Sequence, residues 1–377
     1  MASKEILERV VKKYGIPEIR DTLASMKAGD LQTLLLHVYE IRAAELETND
    51  LMNQYRENRF VRLATLSQAE FTDFDAIAYK TLPSGYKSVE LSPVAPLGSN
   101  SILTKINQKT VLSTARNIEV MADSVTTLAL ECAKQRKALL EINPENTCPI
   151  KLCTSHRELR LQHFDEESGF TSHFRGFSLA AASVFTSDES FAVKNLTEQI
   201  RFYLNLLGDL SKNGYEVTDA KVALSNIRIM ELLTKNAEID KTEVMHNTQN
   251  PEFRPFERYN MGIPSTISWQ DEIPTDKMDR YCLTRVIGYL KRVGDKTITR
   301  LSTEFPKVHF YYDLARNAGI GYYTDLCFKI TAKNSRGITL PLTDGGFSNW
   351  TERLLQSKKE RLLTSGFGTE LFCREFK

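Results

Sequence analysis

Residues 149–185, PIKLCTSHRELRLQHFDEESGFTSHFRGFSLAAASVF, place two apolar runs on either side of a stretch rich in Asp, Glu, Ser and Gly. Such a pattern closes only as two antiparallel strands joined by a polar connection, because a parallel pair needs a crossover of a dozen or more residues. Three later runs, KVHFYYDLA, YYTDLCFKITA and ITLPLTD, also read as strands. Around them the apolar period is helical. DSVTTLALECAKQRKALL predicts a helix capped by Asp123 or Ser124, about 190–212 predicts another, and two more fall at about 277–292 and over NWTERLLQSKKERLL. Strands paired through hairpins with helices laid against them predict an α+β fold, a central antiparallel sheet flanked by helices.

Residues 1–75 predict a helical N-terminal extension. Leu31, Leu34, Leu35, Val38, Ile41 and Leu46 recur at three- and four-residue spacing, with Asp30 where an N-cap belongs. The core is expected at 76–377. It carries an insertion at about 240–275, a polar stretch with four prolines and no clear period.

Charge excludes some functions. With 49 basic against 48 acidic side chains, the formal net charge of +1 gives no global pull toward nucleic acid or an anionic membrane. No stretch approaches the roughly 20 apolar residues of a membrane span, and MASKEILERVVKKYGIPEIR is amphipathic and charged, so the expected compartment is the cytoplasm. Cys132, Cys148, Cys153, Cys282, Cys327 and Cys373 form no C-x-x-C pair and are expected as thiols. Cys148, Cys153, His156 and His163 lie close together, but at C-x4-C and H-x6-H spacing on a predicted strand, so no metal site is expected. There is no P-loop and no G-x-G-x-x-G.

Three segments carry more chemistry than packing requires. In the hairpin, Arg157, Glu158 and Arg160 precede the turn and Phe174 and Arg175 follow it. Arginines on facing strands can clamp a phosphate or carboxylate, and a ring can lie against a planar base; ordinary cross-strand pairs on a solvated hairpin are the alternative. In GIGYYTDLCFKI, Gly319 and Gly321 allow close backbone approach, and the adjacent Tyr322 and Tyr323 send one ring to each face of a strand. A glycine-rich strand entry with core aromatics reads equally from the same residues. LTDGGFSNWTERLL and SGFGTELF pair a Gly345–Gly346 turn with a second glycine-bearing strand, which is either an anion-binding turn or only a tight one.

Taken in order, these segments resemble the catalytic core of class II aminoacyl-tRNA synthetases. The nearest branch is the histidyl one, which includes the non-aminoacylating regulatory subunit of ATP phosphoribosyltransferase. LPSGYKSVELSPVAP resembles motif 1, STARNIEVMADSVTTLALECA the strand and helix facing the amino-acid pocket, the hairpin motif 2, GIGYYTDL the G-L-D-Y-Y-T-G strand, DGGFSNW the G-G-R-Y-D turn, and SGFGTELF motif 3. The resemblance covers about 80–372.

It implies a homodimer and a pocket for a small carboxylate or amino acid lined by Asp123, Thr126, Tyr322, Tyr323, Gly345 and Gly346. It also implies ATP and Mg²⁺ as cofactors. Arg157 would hold the α-phosphate, Glu370 or Glu158 the metal, and Arg160, Phe174, Arg175, Gly366, Gly368 and Arg374 the rest of the nucleotide. The departures bear on activity. Ala318, Gly321, Lys329 and Phe347 stand where the histidyl enzymes carry charged groups, Lys329 reversing the sign, and Leu371 follows Glu370 where an arginine should stack on adenine. The chain stops soon after motif 3, so a complete tRNA synthetase is not expected. The expected function is a paralogue binding ATP and an amino-acid-like carboxylate, able to form an acyl-adenylate as a ligase; the alternative is a non-catalytic regulatory, tRNA-binding or partner-binding protein.

Overall fold

The computed structural model describes the chain apart from residues 1, 163–170, 186–188, 249, 251 and 273–274. Its strands are β1 Lys87–Ser88, β2 Val94–Pro96, β3 Ile118–Val120, β4 Ile150–Leu159, β5 His173–Val184, β6 Thr218–Asn226, β7 Thr266–Ser268, β8 His309–Asp313, β9 Leu326–Lys333, β10 Thr339–Ser348 and β11 Glu360–Phe367. Nine join one sheet in the order β1-β4-β5-β11-β10-β9-β6-β8-β7; β2 and β3 pair separately. Among the described strands only β1 with β4 and β6 with β8 run parallel. The expected α+β architecture is therefore the observed one.

Helices α1 Ala2–Tyr14, α2 Ile19–Ser25, α3 Ala28–Ala44 and α4 Thr48–Glu57 form an N-terminal arm, and α5 Gln68–Thr81 follows. Then come α6 Ser99–Thr104, α7 Ser124–Ile142, α8 Ser190–Lys212, α9 Arg228–Lys235, α10 Lys241–His246, α11 Pro255–Arg258, α12 Thr275–Arg280, α13 Thr284–Glu304, α14 Trp350–Leu355 and α15 Thr369–Glu375.

Side-chain alternation divides the sheet into two faces. The back face carries Cys153, Phe177, Leu179, Leu363 and Phe367, packed with Phe74 of α5 and the apolar stripe of α8. The front face carries Leu152, Ala180, Ala182 and Leu362, packed with Val125 and Leu128 of α7 and Trp350 of α14. Small alanines on β5 let α7 lie close. Each fully buried side chain of the size of Phe177 or Leu362, both 0% exposed, contributes about 1.5–3 kcal/mol.

Several expectations change. The boundary at 75–76 falls inside α5, whose Phe71, Phe74 and Ala78 are buried, so this helix packs with the core. Residues 240–275 hold α10, α11 and β7, with Phe256, Met261, Ile263 and Ile267 buried in the main core. Their apolar residues are too widely spaced, and too often broken by proline, to show a period. Gly345 and Gly346 lie within β10 and not in a turn. The helix at Trp350 ends at Leu355, and KERLL turns into β11 because Leu362 and Leu363 are each taken up by one face. Asp30 sits in the first turn of α3, which starts at Ala28.

One buried carboxylate organises the segment before α7. Glu119 of β3, 0% exposed, accepts hydrogen bonds from the Gly98 N–H (2.8 Å), the Asn100 N–H (2.9 Å), Asn100 Nδ2 (2.8 Å) and Gln108 Nε2 (2.8 Å). Burial pushes this carboxyl up, and the hydrogen bonds outweigh it and hold the group below its ordinary range. Glu119→Gln turns an amide donor toward these donors, and about 2–3 kcal/mol of stability should be lost in urea denaturation. An unchanged midpoint would refute this role.

Candidate functional site

The front face gathers a polar cluster above β4, β9 and β10. Asp123 caps α7, its Oδ1 accepting from the Val125 N–H at 3.3 Å. Asp123 Oδ2 accepts from the Tyr322 hydroxyl at 2.8 Å. Beside it, the Ser124 N–H (2.9 Å) and hydroxyl (2.7 Å) donate to Glu158 Oε1, while Arg160 reaches Glu158 Oε2 at 3.4 Å and donates from Nε to the Ala122 carbonyl at 2.9 Å. The Arg160 guanidinium lies 5.0 Å from the centre of the Phe174 ring. Thr126 is fully buried, and its hydroxyl donates to the Asp123 carbonyl at 2.8 Å, so it supports the cap instead of facing a pocket.

The two tyrosines form one structural unit. Their ring centres are 4.9 Å apart and nearly perpendicular, and Tyr322 meets Trp350 at 5.0 Å. The Tyr323 hydroxyl donates to Asp344 Oδ1 at 2.7 Å, and Arg316 Nη2 donates to both Asp344 oxygens at 2.9 and 2.8 Å. Burial, followed by the neighbouring Asp123 or Asp344, pushes both phenols well above their ordinary range. The glycines make room for these rings. A Cβ on Gly319 (φ +92°) would come within 2.6 Å of the Tyr323 ring, and one on Gly346 within 2.7 Å of both that ring and Cys327. A Cβ on Gly345 would strike Phe328 at 2.5 Å on the opposite face.

The expected arginine clamp lies elsewhere. Alternation turns Glu158 forward and Arg157 backward, a one-residue difference that separates the two faces. Arg157 Nη1 donates to Glu370 Oε2 at 3.1 Å and lies against His173 Nδ1 at 2.8 Å. Arg175 binds Glu370 Oε2 through its N–H (3.1 Å), Ser155 through Nε (2.9 Å) and Asp75 through Nη2 (2.6 Å). Both guanidiniums lie over Phe71, at 5.2 and 5.7 Å. Helix α5 thus closes over this pair, tying Arg157, Arg175 and Glu370 together away from Tyr322. Gly366 faces forward opposite Ser178, Gly368 donates its N–H to the Leu342 carbonyl at 3.0 Å, and Arg374 pairs with Glu375 at 2.9 Å.

Arg316, Asp344, Ser124, Phe71 and Asp75 were not legible as site residues in the sequence. Asp344 stands directly before the two glycines and Arg316 two residues before Ala318, which were the available signals. His163 lies outside the described residues. Among the described residues no group of three or more His, Cys, Asp or Glu side chains could hold a metal ion, and no helix is long and apolar enough to cross a membrane.

Burial, then the Asp123 charge, raises the Glu158 carboxyl from 4.5 to about 7, against the opposing pull of Arg160 and Ser124. The native state therefore binds a proton that the unfolded chain has already released. Stability should fall as pH rises from about 4.5 to about 7 and level off above that. Asp325, pushed by burial from 3.8 to about 6, adds a slope of the same sign. Thermal melts across this range should flatten in Glu158→Gln relative to the parent chain; a slope unchanged by the substitution would remove Glu158 as a cause.

A central antiparallel sheet with helices on both faces, and the glycine–tyrosine segment opposite the N-cap of α7, which is a turn before β9 that keeps both rings on the front face and not the expected strand, define a class II aminoacyl-tRNA synthetase-like fold. Three solved structures share it. An ATP phosphoribosyltransferase regulatory subunit/histidyl-tRNA synthetase from Bacillus halodurans matches 85% of this chain and 83% of its own at a TM-score of 0.58 and 13% identity. A histidyl-tRNA synthetase from a Nostoc species matches 84% of this chain and 74% of its own at 0.56 and 15%. A histidine–tRNA ligase subunit from Alicyclobacillus acidocaldarius matches 82% and 94% at 0.53 and 14%. By sequence, no family profile and no curated protein matches the chain.

Proposed function

We propose that this chain is a histidyl-synthetase-like paralogue whose front face binds a small amino-acid-like carboxylate without converting it to an adenylate. One observation carries this reading: Asp123, Tyr322, Tyr323, Arg316 and Asp344 are assembled on the front face, whereas Arg157 pairs with Glu370 behind the sheet, under Phe71 of α5. An α-phosphate beside Tyr322 would find no Arg157 there to stabilise developing charge. The regulatory role of the kind named for the Bacillus halodurans protein fits such a pocket.

The test combines thermal melts over the standard amino acids with exchange of pyrophosphate into ATP. A rise in melting temperature with at least one amino acid, lost in Tyr322→Phe, and no exchange are expected. Exchange that survives Arg157→Ala but fails in Arg160→Ala would replace this reading with the adenylate-forming one.

That second reading has its own support: Arg160 and Phe174 stand together on the front face, where a guanidinium and a ring suit ATP, with Glu158 beside them for Mg²⁺. A homodimer through the segment around β1 and β2 is also proposed. So is a protein or tRNA partner for the N-terminal arm, because α2, α3 and α4 bury no residue and expose Leu34, Val38, Ile41, Leu51 and Met52.

A further inference from the structure

The front-face row that begins at Asp344 continues across the sheet in register. Lys329 of β9 lies opposite Asp344, Ala223 of β6 opposite Lys329, and Tyr311 of β8 opposite Ala223. Cross-strand neighbours on one face stand about 4.5–5.5 Å apart, so the single methyl of Ala223 leaves a dip between the longer Lys329 and Tyr311 side chains. Two cationic groups stand along this row. Arg316, 7% exposed, binds Asp344 through Nη2 and leaves Nη1 buried with no hydrogen-bond partner. The Lys329 side chain makes no hydrogen bond or ion pair among the described residues, although its backbone is held between Asp344 and Ala223. At the end of β8, Asp313 accepts from the Ala315 N–H at 3.2 Å; burial raises its carboxyl, and the charges of Arg316 and Lys329 oppose that rise.

Asp344 is answered by Arg316, the Lys329 side chain opposite it has no partner among the described residues, and a buried guanidinium nitrogen still lacks its acceptor. We infer that Lys329 and Arg316 form a subsite for the second anionic group of the ligand, a side-chain carboxylate or phosphate. This rests on the amino-acid-like reading above, with the ligand's amino end toward Asp123 and the tyrosine pair between the two ends. The bound molecule is then an acidic amino acid or a phosphoamino acid, not a basic or apolar one.

The full chain is titrated calorimetrically with L-glutamate, L-glutamine, O-phospho-L-serine, L-serine, succinate and inorganic phosphate. The acidic member of a pair should bind about tenfold or more tighter than its neutral counterpart, because a charge-assisted contact replaces a neutral one. That advantage should shrink as sodium chloride is raised. Lys329→Gln should abolish the advantage and leave glutamine or serine binding unchanged. Succinate against phosphate separates the two sources of negative charge. Equal binding within each pair, or a preference that survives Lys329→Gln, overturns the subsite while leaving the amino-acid pocket standing. Succinate or phosphate binding that is lost in Lys329→Gln, with no amino acid bound, upholds the subsite and removes the amino-acid reading. No binding by any of the six removes both.

Discussion

Arg136→Met should destabilise the protein by about 3–5 kcal/mol, a large part of the total stability of an ordinary domain. Arg136 of α7 is 0% exposed and forms a two-pronged pair with Glu360, itself 1% exposed, at 3.1 and 2.9 Å. Its remaining N–H groups reach the carbonyls of Asn146 (2.9 Å) and Cys148 (3.0 Å). Removing the guanidinium leaves a carboxylate stranded between α7 and the first residue of β11. The loss therefore measures an unpaired buried charge, not the net strength of the pair. Arg136→Met combined with Glu360→Met should recover most of it, because an apolar pair of similar volume avoids both desolvation costs. Urea denaturation of the two variants checks this; a single variant as stable as the parent chain would show that the carboxylate finds water or a proton without cost.

Gly346→Ala should disturb the candidate site from beneath. The added methyl meets Cys327 Cβ and the Tyr323 ring at 2.7 Å, closer than real carbon contacts allow, and neither neighbour is the free end of a flexible chain. Overpacking of this kind costs about 1–3 kcal/mol. Tyr323 should swing off Asp344, and Tyr322, packed edge-on against it, should lose its place over Asp123. The near-ultraviolet circular dichroism of Tyr322, Tyr323 and Trp350 should change, and any amino-acid-induced thermal shift should vanish. Gly366→Ala is the internal control. On the neighbouring strand its methyl would meet only Ser178 Oγ, at an ordinary 3.7 Å. Equal effects in both variants would show that strand geometry, not the Tyr323 contact, is what Gly346 protects.

Both results bear on how far the sequence can be read. The helix at 190–212 and the cap at Asp123 follow from local rules, apolar period and N-cap chemistry, and the structure forms α8 and α7 there. The order of glycine- and tyrosine-bearing segments pointed to the class II synthetase-like fold, because each strand carries its own pattern. Local rules fail where a neighbour decides. KERLL favours helix by composition, yet it becomes a strand between β5 and β10, since burying Leu362 and Leu363 on opposite faces outweighs a propensity difference of a few tenths of a kcal/mol per residue.

The amino-acid order determined which segments pair, because hydrophobic period and hairpin spacing are properties of neighbouring residues. Which side of the sheet each charged group serves was decided only in three dimensions. Arg157 and Glu158 are adjacent in the chain and separated by the whole sheet, one held under Phe71 and the other beside Asp123. A strand sends successive side chains to opposite faces, and only the packing of α5 behind and α7 in front gives those faces different surroundings.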